Sequence, residues 1–130
     1  MLKKRILSTV IICCFMIATH YIYGEQKSAP ISVDTLFNGL QAGAISLKFD
    51  DPVIVTGYVL ETGISKYATP YVAVSDKQGG RQYAVCVLPR TDSLKLKDFT
   101  KDEKVIIEGN FYRLSEDKVV IKKCRKLLAK

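Results

Sequence analysis

The chain has 130 residues, 48% of them hydrophobic, a formal net charge of +7, four cysteines and one histidine. That length is enough for one small domain and hardly two. The single histidine, His20, falls in the first stretch, so the remainder of the chain has no Ser/His or Cys/His pair and no histidine ligand for zinc.

The chain opens with Lys3, Lys4 and Arg5, continues through an apolar run from Ile6 to Ile17, and turns polar after Gly24. This is the layout of a secretory signal peptide, and we assign residues 1–24 to it. Cleavage after Gly24, retention as an anchor, and lipid attachment at Cys13 or Cys14 are the three fates this segment allows; retention or lipidation would put the membrane among the partners. The leader holds three of the 20 basic residues and none of the 13 acidic ones, so its removal lowers the charge from +7 to +4. A mildly basic exported protein is a poor candidate for a dedicated nucleic-acid binder, though it retains some attraction to anionic surfaces.

Residues 25–31, "EQKSAPI", read as a linker. Ser32 then stands as the N-cap of a short helix with apolar residues at Val33, Leu36, Phe37 and Leu40, and Asp34 in its first turn. Such a helix covers one end of a sheet.

From Val53 the pattern becomes that of strands. "VIVTGYV" alternates, with Val53, Val55 and Val59 on one face and Gly57 on the same face. Tyr71–Ser75 is the second strand and Gln82–Leu88 the third, joined by "DKQGGR", whose paired glycines suit a hairpin turn. Pro89 to Asp102 holds Leu94, Leu96 and Phe99 as its only large apolar residues. Lys104–Tyr112 and Val119–Leu127 complete a set of five. The fourth strand, "VIIEGNF", repeats the first, with Gly109 on its apolar face. Two strands that each place a glycine inside are strands that bend over a narrow interior. Five such strands predict an all-β, OB-fold Greek-key barrel over residues 32–128, preceded by one short α-helix. That topology sets the third strand beside the fifth, so Cys86 and Cys124 become a disulfide candidate in an oxidising compartment, or two buried thiols in a reducing one.

The ordered motifs "VIVTGYV", "YVAV", "AVCVL", "VIIEGNF" and "KVVIKKC" resemble the OB-fold family called tRNA_anti-like, found in small, often exported bacterial proteins. The resemblance matches Val55, Gly57 and Val59 in the first strand, Cys86 in the third, Val105 and Gly109 in the fourth, and Cys124 in the fifth, over roughly Ser32 to Leu127. The asparagine that the family often carries before the first strand has no counterpart in "LQAGAISLKF". A second exported OB-fold family, of periplasmic stress responses, has similar size and leader. Resemblance of this kind implies fold and leaves function to the site.

An OB-fold offers a face on its second and third strands, flanked by the loops after the first and fourth. If Val53, Val55 and Val59 point inward, Tyr58 points outward, and alternation sends Tyr71 outward. With Cys86 inward Tyr83 also points outward, although the reverse assignment of that strand has almost equal apolar support. Tyr58, Tyr71 and Tyr83 thus form a candidate ligand-binding face, with Lys66, Tyr67, Arg81 and Arg113 at its rim. Aromatic residues ringed by cations stack bases or sugar rings; tyrosines on a strand also serve simply to pack against one another or the helix. The paired acids Asp50 and Asp51, Asp102 and Glu103, and Glu116 and Asp117 sit at turns, where solvated carboxylates are common. Lys101 and Lys104 would hold the middle pair at low pKa.

These residues lead us to expect no enzyme, no cofactor and no metal. They point to an exported binding module of the bacterial envelope, periplasmic or envelope-associated, with a protein or glycan partner. Single-stranded nucleic acid or tRNA is the alternative. The basic closing segment "KKCRKLLAK" adds a candidate contact with anionic envelope surface.

Overall fold

A computed structural model describes residues 29–127. The leader and its fates lie outside the described residues. Among those described, no helix is long and apolar enough to cross a membrane.

A two-residue strand, β1 (Ile31–Ser32), leads into helix α1 (Val33–Gln41). Five long strands come after it: β2 (Pro52–Ile64), β3 (Pro70–Ser75), β4 (Gln82–Val87), β5 (Lys104–Leu114) and β6 (Val119–Leu127), with a 3-10 segment at Arg90–Asp98. The order β2-β3-β4-β6-β5 closes through a β2–β5 pairing, β4 and β6 running parallel and the other barrel neighbours antiparallel. This is the five-stranded OB-fold barrel with a helix before it. Ile31 already pairs with Val55, so the linker ends one residue earlier than the sequence suggested.

β2 holds the barrel together by changing partners. It pairs with β5 from Pro52 to Tyr58 and with β3 from Tyr58 to Ile64, the handover falling beside Gly57. A Cβ at Gly57 would lie 2.6 Å from the Ser75 carbonyl oxygen, 2.6 Å from Val74 Cγ1 and 3.2 Å from Val33 Cγ2. The strand bends around the end of β3 and the first residue of α1, and only glycine leaves them room. Gly109 makes the same kind of space on β5, where a Cβ would meet Ile121, the Lys122 carbonyl and Cys124 at 2.7 to 2.9 Å.

Bulges supply the remaining curvature. Each register shift leaves one extra residue: Leu60 on β2, Tyr83 on β4, Tyr112 on β5 and one at Lys123–Cys124 on β6, where Lys123 has φ 54°. The last bulge sets the parity of β6. Val119 and Ile121 face the core, strict alternation would send Lys123 inward, and the extra residue turns Cys124 inward instead.

The interior holds Val53, Val55, Val59, Val72, Val74, Ala84, Cys86, Val105, Ile107, Val119 and Ile121. Val33, Leu36 and Phe37 from α1 close one end, each contributing about 1.5 to 3 kcal/mol by burial. Ser32 occupies the N-cap position, but its hydroxyl donates to Thr35 Oγ1 at 2.7 Å instead of capping a backbone N–H, so packing rather than capping fixes the start of the helix. Phe99 and the partly buried Leu96 close the other end from the 3-10 segment, which the sequence reading left without structure, while Leu94 on that segment is 80% exposed.

Gly57→Ala should cost about 1 to 3 kcal/mol, because one of its close neighbours is backbone that cannot rotate away. Urea denaturation of the variant beside the parent measures this directly, and an unchanged midpoint would show that β2 does not bend where described.

Candidate functional site

β3 and β4 contain no charged residue over Pro70–Ser75 and Gln82–Val87. With Ala84 and Cys86 buried inward, the assignment of β4 left open by the sequence is resolved, and Val85 and Val87 stand on the outer face. The registers align a row across the barrel's exterior: Arg113 beside Val120, Val120 beside Val85, Val85 beside Ala73, and Ala73 beside Glu61. The row is apolar at its centre, with one cation and one anion at its margins, but Ala73 is fully covered by its neighbours and Val85 and Val120 are half-buried, so the accessible part of the face lies toward its edges. Above this row Tyr71 pairs with Val87 on one side and Gly63 on the other. A Cβ at Gly63 would come within 2.7 Å of the Tyr71 hydroxyl oxygen, so the tyrosine ring lies across the glycine.

The β2–β3 turn extends this face. Ser65 fixes it: its N–H donates to the Thr69 carbonyl and its carbonyl accepts from Ala68 N–H, both at 2.9 Å, while its hydroxyl oxygen accepts from the N–H groups of Tyr67 and Thr69 at 3.3 Å. Ala68 takes φ 60°. This backbone holds out Ile64, 59% exposed, and Tyr67, 68% exposed, with Lys66 Nζ 5.1 Å from the centre of the Tyr67 ring.

The seven residues selected from the sequence do not form one face. Lys66, Tyr67 and Tyr71 come together at the turn, and Arg113 ends the apolar row. Tyr58 is elsewhere: its backbone partners are Ser75 and Lys104, and it lies five positions before Gly63 on β2, about 17 Å of strand. Tyr83 is the bulged residue of β4, and the bulge re-aims its ring onto Phe37 of α1, with centroids 5.7 Å apart. Arg81 lies 4.9 Å from the Tyr83 ring centre and 5.0 Å from that of Phe37, and its Nη2 donates to the Asp117 carbonyl at 3.3 Å. Gln41 donates to the neighbouring Glu116 carbonyl at 2.9 Å. Tyr83 and Arg81 thus clamp α1, the β3–β4 hairpin and the β5–β6 turn together. Ile64, Val85, Val87 and Val120 belong to the face and were not selected; the unbroken apolar run "YAVCV" carried the signal.

Cys86 and Cys124 do meet, both fully or almost fully buried, and the structure carries them as free thiols. Cys124 Sγ donates to the Ile121 carbonyl at 3.3 Å. Burial, and then the hydrogen bond with Cys86, push the Cys124 thiol well above its ordinary pKa, against a smaller opposing effect of the Val87 N–H. Of the paired acids, Glu103 is held below the usual carboxylate range, first by the Thr100 N–H donated to its Oε1 at 2.7 Å and then by Lys126 at 3.1 Å, while its partial burial opposes them. Its cation is Lys126 rather than its chain neighbours. Among the described residues no group of three His, Cys, Asp or Glu side chains is placed to hold a metal ion.

A pocket of about 230 Å³ lies between the 3-10 segment and β6, lined by Leu88, Lys95, Asp98, Phe99, Cys124, Arg125 and Lys126. Its cations are already engaged: Lys95 with Asp92, Arg125 with Glu108, Lys126 with Glu103 and the Asp98 carbonyl. It offers a ligand little beyond a shallow apolar floor.

No protein-family model and no curated protein matches the chain. Among solved structures it is similar in fold to a "putative nucleic acid-binding lipoprotein" from Klebsiella pneumoniae, with a TM-score of 0.63 and 15% identity over 81% of this chain and 96% of that one. It is also similar to a "putative aspartyl-tRNA synthetase" from Leishmania major, with a TM-score of 0.51 and 12% identity over 81% of this chain and 22% of the other. At these identities the likeness is one of fold.

Tyr83→Ala should lower stability by about 2 to 3 kcal/mol through loss of the Phe37 and Arg81 contacts, while Tyr67→Ala should change it by less than about 0.5 kcal/mol. Thermal unfolding of the two variants checks the division between clamp and exposed face. The raised thiol pKa sets a second expectation. The unfolded chain releases the Cys124 proton from about pH 8.5 upward while the folded one retains it, so stability should be intact below that pH and fall as pH rises above it. Chemical unfolding of the fully reduced chain from pH 7 to 10 measures the fall, and Cys124→Ala should flatten it.

Proposed function

We propose that the chain is a non-catalytic OB-fold binding module, exported to the bacterial cell envelope, that holds a protein or glycan partner on the outer face of β3 and β4 and on the β2–β3 turn. The observation that carries this reading is the exposed pair Ile64 and Tyr67, held out by a hydrogen-bonded turn beside an uncharged strand face. Exposed aromatic and aliphatic groups on a rigid backbone lose little entropy when covered, which is what an interface anchor or a sugar-stacking platform requires. The partner reading favours protein or glycan because strands β3 and β4 offer no cation to neutralise phosphates, and Lys66 is the only one in the turn. Membership of the tRNA_anti-like family is part of the proposal, supported by the two inward glycines and the adjoining cysteines.

A photo-crosslinking amino acid at position 67 in the full chain, expressed in its native cells, should yield discrete adducts of envelope protein or glycan, and the same group at position 58 should not. Tyr67→Ala combined with Tyr71→Ala should weaken capture of that partner by at least about ten-fold, one or two stacking contacts being lost. Equal adducts from both positions, or tight salt-sensitive binding of a single-stranded oligonucleotide at position 67, would reject the reading.

A further inference from the structure

A second surface, separate from the β2–β3 turn, lies at the other end of β2. Phe49 stands just before that strand, 70% exposed, its ring edge-on to Tyr112 with centroids 5.9 Å apart. Lys122 Nζ lies 3.6 Å from the Tyr112 ring centre and Arg113 Cζ lies 5.9 Å from it. The arrangement is fixed from beneath: Asp50 N–H donates to the Phe111 carbonyl at 2.7 Å, Phe111 N–H to the Asp51 carbonyl at 2.8 Å, and Asn110 Nδ2 to Asp50 Oδ1 at 2.9 Å. Lys48 precedes Phe49 in the chain, Arg113 and Lys122 stand against its partner Tyr112, and the exposed Lys123 follows Lys122 at the β6 bulge. None is in an ion pair among the described residues, and the carboxylates of Asp50 and Asp51 stand against them. Asp51 is turned inward to its own loop, accepting from Lys48 N–H at 2.8 Å. An exposed phenylalanine within a surplus of unpaired cations fits a surface that is apolar below and anionic above.

The path of the chain points to the same occupant. β1 runs parallel to β2 with Ile31 opposite Val55, so the polypeptide enters the barrel from the Pro52 end of β2. Pro52 pairs with Asn110, and Asn110 with Lys122, so the segment that brings in the apolar run of the sequence arrives at the end of the domain that displays this patch.

We propose that Phe49, Tyr112, Lys122 and Lys123 form a contact surface for an anionic lipid bilayer, Phe49 entering the headgroup region while the cations pair with lipid phosphates. Apolar insertion and charge attraction act together in such contacts, and each lysine near the surface strengthens binding by about five-fold at low salt. This surface does not depend on the partner site at Tyr67, and either can fail without the other.

The chain contains no tryptophan, so a single one reports its own surroundings. The full chain carrying Phe49→Trp is mixed with vesicles of phosphatidylcholine alone or with added phosphatidylglycerol, each containing lipids brominated near the headgroup. With the anionic vesicles the emission should shift to the blue and be quenched, and raised salt should reverse both effects. Leu94→Trp, on the 3-10 segment at the other end of the barrel from α1, should stay unquenched even if the leader tethers the chain to the same vesicles. Adding Lys122→Glu and Lys123→Glu to Phe49→Trp should weaken the lipid response by at least about 25-fold, with circular dichroism confirming the fold. Equal quenching at positions 49 and 94, or none at position 49, would overturn the proposal. So would a Phe49→Trp response to a single-stranded oligonucleotide without one to vesicles, which would assign the patch to nucleic acid.

Discussion

The close approach of Ser75 and Val33 to Gly57 is the constraint on which the rest of the molecule depends. A strand of ordinary curvature could pair with β5 or with β3, but not with both in succession. Because Gly57 has no side chain, β2 turns at the handover and the sheet closes through the β2–β5 pairing. Val33 fills the inside of the same bend, which ties the start of α1 to the closure. The bulges at Leu60, Tyr83, Tyr112 and Lys123–Cys124 distribute the remaining curvature around the barrel.

Closure also decides what the outer surface can do. β3 and β4 use their inward residues for the core and present an uncharged exterior, and β2 extends past the barrel wall to form the turn that holds out Ile64 and Tyr67. The cations gather instead on β6 and the end of β5. Some are spent on structure, as with Arg125 on Glu108 and Lys126 on Glu103, while Lys122 lies over Tyr112. The molecule therefore separates an apolar, uncharged face from a basic, aromatic one, and the two suit different surroundings.

Much of this was legible in the sequence because it rests on local pattern. The repeated pattern of apolar residues at the first and third places and glycine at the fifth identified both bent strands, and five strands with that curvature gave the barrel and the adjacency of Cys86 and Cys124. What failed was parity. Simple alternation placed Tyr58, Tyr71 and Tyr83 on one exterior, but barrel curvature separates Tyr58 from Tyr71, and the bulge at Tyr83 turns that ring onto the helix. A bulge is one extra residue answered by a partner strand distant in sequence, so nothing within "RQYAVCV" announces it. The 3-10 segment was missed for a related reason: its few apolar residues follow no helical or strand period, and Phe99 is ordered by the open barrel end it covers. Arg81 read as rim because a cation beside a tyrosine looks the same in sequence whether it meets a ligand or another side chain.

The central claim is that the β2–β3 turn and the face beside it are occupied in the protein's own setting. Hydroxyl-radical footprinting of side chains tests it most directly, comparing the purified chain with the same chain in intact cell envelopes. The account predicts that Ile64, Tyr67 and Tyr71 lose reactivity in the envelope while Tyr58 and Leu94 keep theirs. Undiminished labelling of Ile64 and Tyr67 would contradict it.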